Sequence, residues 1–240
     1  MTRIRFSFAR GEALKHISHL DMMRLIQRAL RRSGLPLVYS EGYNPHLRFN
    51  LALPLPVNVT ASEEYGEVIL ADPVTPDQFM AAFGEQLPAG LDLTGAWIED
   101  DYSAPALPST VGAALYRATL VAEEGCRVDP VQYRQTLDRL LAKEEILAPK
   151  TKKKKTKKVF VNVRSYIYEA YFNEPEKERP LELYMLLQAG SRGGVSPFFV
   201  IEQLEKELTV ECNYKAHWEL HRERLYRDQD QFLKPLSEGM

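Results

Sequence analysis

The stretch MTRIRFSFARGEALKHISHLDMMRLIQRALRRSGLP, residues 1–36, sets the fold. Ile4, Phe6 and Phe8 alternate with Arg3, Arg5 and Ser7, the period of a half-buried strand. After a short loop, Ser18 is a good helix N-cap, and Asp21 falls in the first turn, where negative charge is favoured. Met22, Met23, Ile26, Ala29 and Leu30 make one apolar face, and Arg24, Gln27, Arg28, Arg31 and Arg32 the other. Gly34 suits the left-handed position after the helix, and Pro36 prevents continuation.

Outward from there, residues 37–39 predict a short strand, interrupted by the turn chemistry of Ser40-Glu41-Gly42-Tyr43-Asn44-Pro45. Leu47, Phe49, Leu51 and Leu53 alternate until Pro54 and Pro56. A strand over 65–71, a helix over 75–86 with Pro76 near its start, and an alternating run through Leu91, Leu93 and Trp97 follow. The order strand–helix–strand–strand–helix–strand predicts a ferredoxin-like domain over 1–98. The polar, Pro-rich stretch 99–112 predicts a linker. The order then recurs: a strand over 115–122, a helix over 129–143, a bent strand over 159–171, a strand over 181–187, a helix capped by Ser196, and a strand over 210–220. The expectation is an α+β chain of two ferredoxin-like (βαββαβ) domains in tandem. The second spans 113–223 with a Lys-rich loop at 150–158, and 224–240 form a tail.

Charge is segregated. The overall −2 conceals +6 over residues 1–50, −11 over 51–149, +8 over 150–168 and −5 beyond. Two basic zones separated by acidic surface predict an oriented contact with an anion such as RNA. Two cysteines, Cys126 and Cys212, exclude a disulfide framework, a CxxC zinc ribbon and a three-cysteine iron–sulfur motif. They also point to the reducing cytoplasm. No run of apolar residues is long enough to span a membrane.

Four blocks between Lys15 and Val59 carry a resemblance: Ser18-His19-Leu20-Asp21, Arg28 to Pro36, Tyr39 to His46, and Leu53-Pro54-Leu55-Pro56. Together they resemble the DUF2344, or radical SAM-linked, family of bacterial proteins. Arg164-Ser165-Tyr166-Ile167 is a weaker echo in the second half. Tyr43 stands where the family commonly has Phe, and Ser165 where it commonly has Pro. The resemblance implies a separately encoded radical SAM protein as partner. It implies that the iron–sulfur cluster and S-adenosylmethionine belong to that partner, with no cofactor on this chain. It transfers no reaction and no catalytic residue.

Several constellations bear on function. His16, His19 and Asp21, with His46 joining them, either bind a divalent metal, move a proton at neutral pH, or merely hydrogen-bond the helix start. In the turn, Tyr39, Ser40, Tyr43, Asn44 and His46, with Arg48 beyond, suit a base stacked on Tyr43 and read along its edge. A structurally demanding turn with a packed tyrosine is the alternative. Arg24, Arg28, Arg31 and Arg32 form one stripe suited to phosphates. Lys152, Lys154 and Lys157 lead into Arg164, Tyr166 and Tyr168, a mix suited to single-stranded RNA. Gly190-Ser191-Arg192-Gly193-Gly194 lacks the spacing of a Walker A loop but precedes a helix, so Arg192 joins the candidate anion contacts. His217 and His221 fall on a predicted strand, where their rings stand too far apart to share one ion, so no metal site is expected.

These readings favour a non-catalytic RNA-binding module, for tRNA or rRNA, serving a radical SAM partner. One alternative is a metal-independent ribonuclease using His19 or His46 as general base. Another is a protein–protein scaffold docking the partner through its acidic stretch.

Overall fold

The computed structural model describes residues 1–101, 103–122, 128–150, 159–174, 180–208, 216–229 and 232–236. The architecture is α+β, and the chain divides into two compact units: residues 1–112 with 221–240, and residues 113–220. Among the described residues, no helix is long and apolar enough to cross a membrane.

In the first unit the strands are β1 (Thr2–Arg10), β2 (Phe49–Leu51), β3 (Val59–Leu70) and β4 (Leu91–Ile98). The helices are α1 (His19–Arg32), α2 (Pro76–Gly84) and the single turn α3 (Leu107–Thr110). β1 is antiparallel to both β4 and β3, and β2 is antiparallel to β3, giving the order β4-β1-β3-β2. Ser18 caps α1 by accepting from the Asp21 N–H at 3.2 Å. Thr75 and Gln78 form a reciprocal capping box on α2. The apolar stripe of α1 buries Met22, Ile26, Ala29 and Leu30 in one core with Ile4, Phe6, Phe8, Phe79 and Phe83. Phe6 lies over Gly66, its cross-strand partner, because a Cβ there would sit 2.4 Å from the ring.

The second face of β1 departs from the expected half-buried strand. Arg5 and Ser7 are buried as well. Arg5 pairs with Glu99 at 2.6 Å and donates to the Pro105 carbonyl at 3.0 Å, while Arg3 donates to the Ala104 carbonyl at 2.9 Å. Residues 99–112, expected as a linker, therefore fold back onto the first unit, and Leu107 is fully buried there. Cationic side chains on β1 alternate correctly, but sequence period alone does not reveal that the chain returns to cover them.

The second unit contains β5 (Val111–Ala122, from residue 113), α4 (Pro130–Leu141), β6 (Leu147–Lys150), β7 (Val159–Asn162), β8 (Ile167–Phe172), β9 (Glu182–Gln188) and α5 (Pro197–Glu207). β9 lies between β5 and β8, antiparallel to both. Its inward residues Leu183, Met185 and Leu187 pack in the core with Leu137, Leu140, Val200 and Leu204 buried on the helices. The bend expected near Ser165 is a 3₁₀ turn, Arg164–Tyr166. The β6–β7 hairpin was not anticipated. Asn162 clamps it, accepting from the Ile146 N–H at 3.1 Å and donating to the Glu144 carbonyl at 3.1 Å. Its connecting residues 151–158 hold the expected lysine loop, which lies outside the described residues.

The last strand, expected over 210–220, is β10 (Ala216–Gln229), followed by the antiparallel β11 (Phe232–Pro235). Residues 224–240, expected as a tail, supply part of both strands, and from His221 onward they belong to the first unit. His217 and His221 both lie on extended β10.

Candidate nucleic-acid interface

Four arginines project from the polar face of α1, and Arg24, Arg28, Arg31 and Arg32 are all exposed. Their settings differ. Arg24 reaches Asp21 at 3.1 Å, and Asp21 also accepts from the Ser18 hydroxyl at 2.7 Å. Those contacts, the serine bond foremost, hold the Asp21 carboxyl below its usual range. Arg32 leans across to α2 and donates to the Gln86 carbonyl at 2.7 Å. Arg28 and Arg31, three residues apart, share one side of the helix between those anchored neighbours.

Six residues separate Arg32 from Tyr39, where the expected turn begins. The base of the turn is closed tightly. The Ser40 N–H donates to the His46 carbonyl at 2.8 Å, the His46 N–H donates to the Ser40 hydroxyl at 2.9 Å, and the Arg48 N–H donates to the Val38 carbonyl at 2.9 Å. Val38 and Arg48 are both bonded to Ile69 near the end of β3. The chain reaches that same strand end directly from α1, since the Ala71 N–H donates to the Pro36 carbonyl at 2.7 Å. The arginine-rich end of α1 and the turn are thus tied to one end of β3.

Beyond the closed base, the tip stands in solvent. Gly42 has φ of 118°, a conformation that a side chain would strain. Tyr43 is wholly exposed, at 105 %. Asn44, His46 and Arg48 are exposed as well, and Tyr39 is 40 % exposed. A packed tyrosine, the alternative considered for this turn, is not what the structure contains.

The histidine cluster does not assemble. The His16 ring bonds the Asn58 side chain at 2.8 Å, and Asp21 serves the helix start. His19 faces a small pocket with Phe8, Arg10, Met22, Leu51, Leu53, Leu55 and Glu64. The turn carrying His46 hangs from Ile69, five residues along β3 from Glu64, or roughly 17 Å of strand. Two signature blocks, Ser18–Asp21 and Leu53–Pro56, converge on the His19 pocket, while the other two meet at the opposite end of β3.

That pocket contains a charge cluster the sequence did not announce. Arg222 of β10 is fully buried and holds Glu64 along one guanidinium edge, Nε to Oε1 at 2.6 Å and Nη2 to Oε2. It also donates to the Leu53 and Pro54 carbonyls, each at 3.2 Å. Arg10 is 1 % exposed and donates through Nε to the Val59 carbonyl at 3.0 Å and through Nη2 to the Pro56 carbonyl. Its Nη1 is buried without a hydrogen-bond partner among the described residues. Burial, more than the neighbouring charges, lowers the Arg10 pKa to about 10. Burial also lowers that of His19, aided by Arg222 and opposed by Glu64, so this ring favours the neutral form. One signal was available: Arg10 shares the strand face of Ile4, Phe6 and Phe8, an inward place for a cation.

In the second unit the expected contacts separate. Arg164 donates through Nε to the Leu141 carbonyl at 2.8 Å and through Nη1 to the Ile167 carbonyl at 3.1 Å, satisfying the end of α4. Tyr166 and Arg192 line one cavity. Lys152, Lys154 and Lys157 lie outside the described residues. Among the described residues, no group of three or more His, Cys, Asp or Glu is placed to hold a metal ion.

The model of a family described as uncharacterised protein conserved in bacteria (DUF2344) matches residues 3–197. The chain belongs to that family. The match to DUF2344 takes in all four signature blocks, the turn, the His19 pocket and the cavity of the second unit. No curated protein matches the chain. One solved structure, a crystal structure of a Cbf5-Nop10-Gar1 complex, is similar at a TM-score of 0.49 and 14 % identity. The similarity covers 93 % of this chain and 48 % of that one, so the chain spans about half the length of the protein it matches.

Proposed function

We propose that this DUF2344 protein is a non-catalytic RNA-binding module that presents a tRNA or rRNA to a separately encoded radical SAM enzyme. That enzyme would hold the iron–sulfur cluster and S-adenosylmethionine. Each unit is read as a ferredoxin-like domain, the second carrying the β6–β7 hairpin as an insertion. The observation that carries the reading is Tyr43: a fully exposed aromatic at the tip of a turn whose base is hydrogen-bonded shut. Burying an aromatic ring is favourable by roughly 1.5–3 kcal/mol, so a ring held in water on a rigid mount is available for a partner. Arg48 and His46 beside it, and Arg28 and Arg31 on the helix tied to the same strand end, suit a stacked base with its flanking phosphates.

The test is purification of the tagged chain at low salt from cells that also express the radical SAM protein, with and without nuclease. The module reading expects RNA of defined size to co-purify and to be lost in Tyr43→Ala. Recovery of the radical SAM protein unchanged by nuclease, with no RNA bound, supports the scaffold alternative instead. RNA cleavage in EDTA that disappears in His46→Ala or His19→Ala supports the ribonuclease alternative.

A further inference from the structure

The second unit contains a cavity of about 360 Å³, inside the roughly 300–1,000 Å³ range of small-ligand sites. One wall is the β6–β7 hairpin, through Ala148, Pro149, Val161 and the buried Val163. Tyr166, on the 3₁₀ turn that follows, closes one side. The facing wall is the loop Ser191-Arg192-Gly193-Gly194.

The loop is built for that position. Gly193 has φ of 102°, and even a Cβ on it would lie 3.6 Å from the Tyr166 hydroxyl. A Cβ on Gly194 would sit 2.5 Å from the Gln188 carbonyl oxygen, which the backbone cannot vacate. Gln188 holds the loop from behind. Its Nε2 lies 3.4 Å from the carbonyls of both Arg192 and Gly193, and its Oε1 accepts from the Tyr168 hydroxyl at 3.1 Å. The cavity mouth therefore carries an exposed arginine on a loop whose shape two glycines and one glutamine fix.

We propose that this cavity receives a single unpaired nucleotide of the bound RNA. The base lies between Tyr166 and the valine wall, and its phosphate lies at Arg192. This rests on the RNA-binding reading above and names the part of the RNA that the second unit recognises. The chemistry selects this class. Apolar walls and a phenol ring suit a flat heterocycle and give a bare inorganic anion little to bind. The cavity opens to solvent along the exposed loop 191–194, so a splayed-out base can enter, and its volume leaves no room for a duplex. The arginine at the rim offers a planar fork matched to phosphate oxygens. The pocket belongs to the second unit and the Tyr43 turn to the first, so the two are separately mutable.

The experiment titrates the full-length chain with the four nucleoside 5′-monophosphates and the four nucleosides by ligand-observed NMR, alongside RNA binding. Val161→Trp fills the cavity from a hairpin outside the main sheet, and Tyr166→Ala is the second variant should the first not fold. At least one monophosphate is expected to bind, and either variant to weaken it by about tenfold or more. Arg192→Ala weakens the monophosphate by about tenfold and leaves its nucleoside nearly unchanged, as loss of one charge-assisted contact predicts. Salt-dependent RNA binding with no monophosphate bound, or a monophosphate bound equally by both variants, overturns the pocket and leaves the functional proposal standing. Monophosphate binding without RNA binding overturns the functional proposal, and with it the polymer as source of the nucleotide.

Discussion

Replacing Glu64 with Gln tests the buried charge cluster that joins β3 to β10. Glu64 and Arg222 have side chains 4 % and 0 % exposed, and Nε and Nη2 of Arg222 both donate to the carboxylate. Arg10 lies close enough for Glu64 and Arg222 to act on its ionisation in opposite senses. With the carboxylate present, two buried cations share one anion. In Glu64→Gln both cations remain and the anion is gone, while the amide NH₂ faces an arginine donor. Breaking such a buried pair costs about 3–5 kcal/mol, because the surviving charge stays desolvated. The Leu53 and Pro54 carbonyls still accept from Arg222, which places the expected loss near the lower end, about 3 kcal/mol. For a unit of this size that is on the order of 10 °C in Tm. The assay is urea unfolding followed by tryptophan fluorescence. Trp97 lies on β4 of the first unit and Trp218 on β10 within the second, so a Trp218→Phe background reports the first unit alone. Glu12→Gln, which removes an exposed carboxylate paired with Lys15, is the control and is expected to cost less than about 1 kcal/mol. A Glu64→Gln stability within about 0.5 kcal/mol of its parent, at unchanged m-value, would show that the carboxylate does not offset the two buried cations.

Other outcomes follow from the same geometry. His19 has a folded-state pKa below its ordinary 6.5, so the unfolded chain takes up the proton first as pH falls. Its contribution to stability is complete above pH 6.5 and is lost as pH falls toward the folded value, where Arg10, Arg222 and Glu64 face the ring. His19→Gln is expected to flatten that part of the stability–pH curve measured by denaturant titration. Gly66→Ala drives a methyl into the Phe6 ring, which Phe8, Phe49, Phe79 and Phe83 hold in place, and is expected to destabilise by about 1–3 kcal/mol in the same assay. Tyr43→Ala is expected to change stability by less than about 0.5 kcal/mol while weakening RNA binding by about 1–3 kcal/mol, measured by thermal melts and filter binding.

Local signals survived folding where packing agreed with them. Ser18 caps the helix expected of it because its side chain needs only the next turn of backbone, whereas Ser196 takes the N-cap position of α5 without a side-chain cap bond. Gly34, with φ of 71°, ends α1 as its position after Arg31 and Arg32 implied. The exposed Arg stripe and turn were legible for the same reason: period and turn chemistry determine which side chains face outward. Long-range partnerships were not legible. Glu64 and Arg222 lie 158 residues apart, and nothing local distinguishes either from a surface charge. Residues 99–112 resemble a linker by composition, yet their carbonyls accept from Arg3 and Arg5 across about a hundred positions. The β6–β7 hairpin was obscured because its two short strands flank a lysine run that reads as loop. The lysine run leading into Arg164 and its neighbouring tyrosines suggests an anion contact, but the carbonyls that Arg164 donates to are fixed only by the fold.

In the proposed function the arginines of α1 and the Tyr43 turn meet a polyanion. The decisive measurement is the dependence of RNA affinity on salt concentration, in the parent chain and in Arg24→Ala/Arg28→Ala/Arg31→Ala. Each phosphate neutralised adds about 0.7–0.9 to the slope of log K against log salt, so the account predicts a steep negative slope that becomes shallower by about 2 in the triple variant. A parent affinity insensitive to salt, or a slope identical in the two proteins, contradicts it.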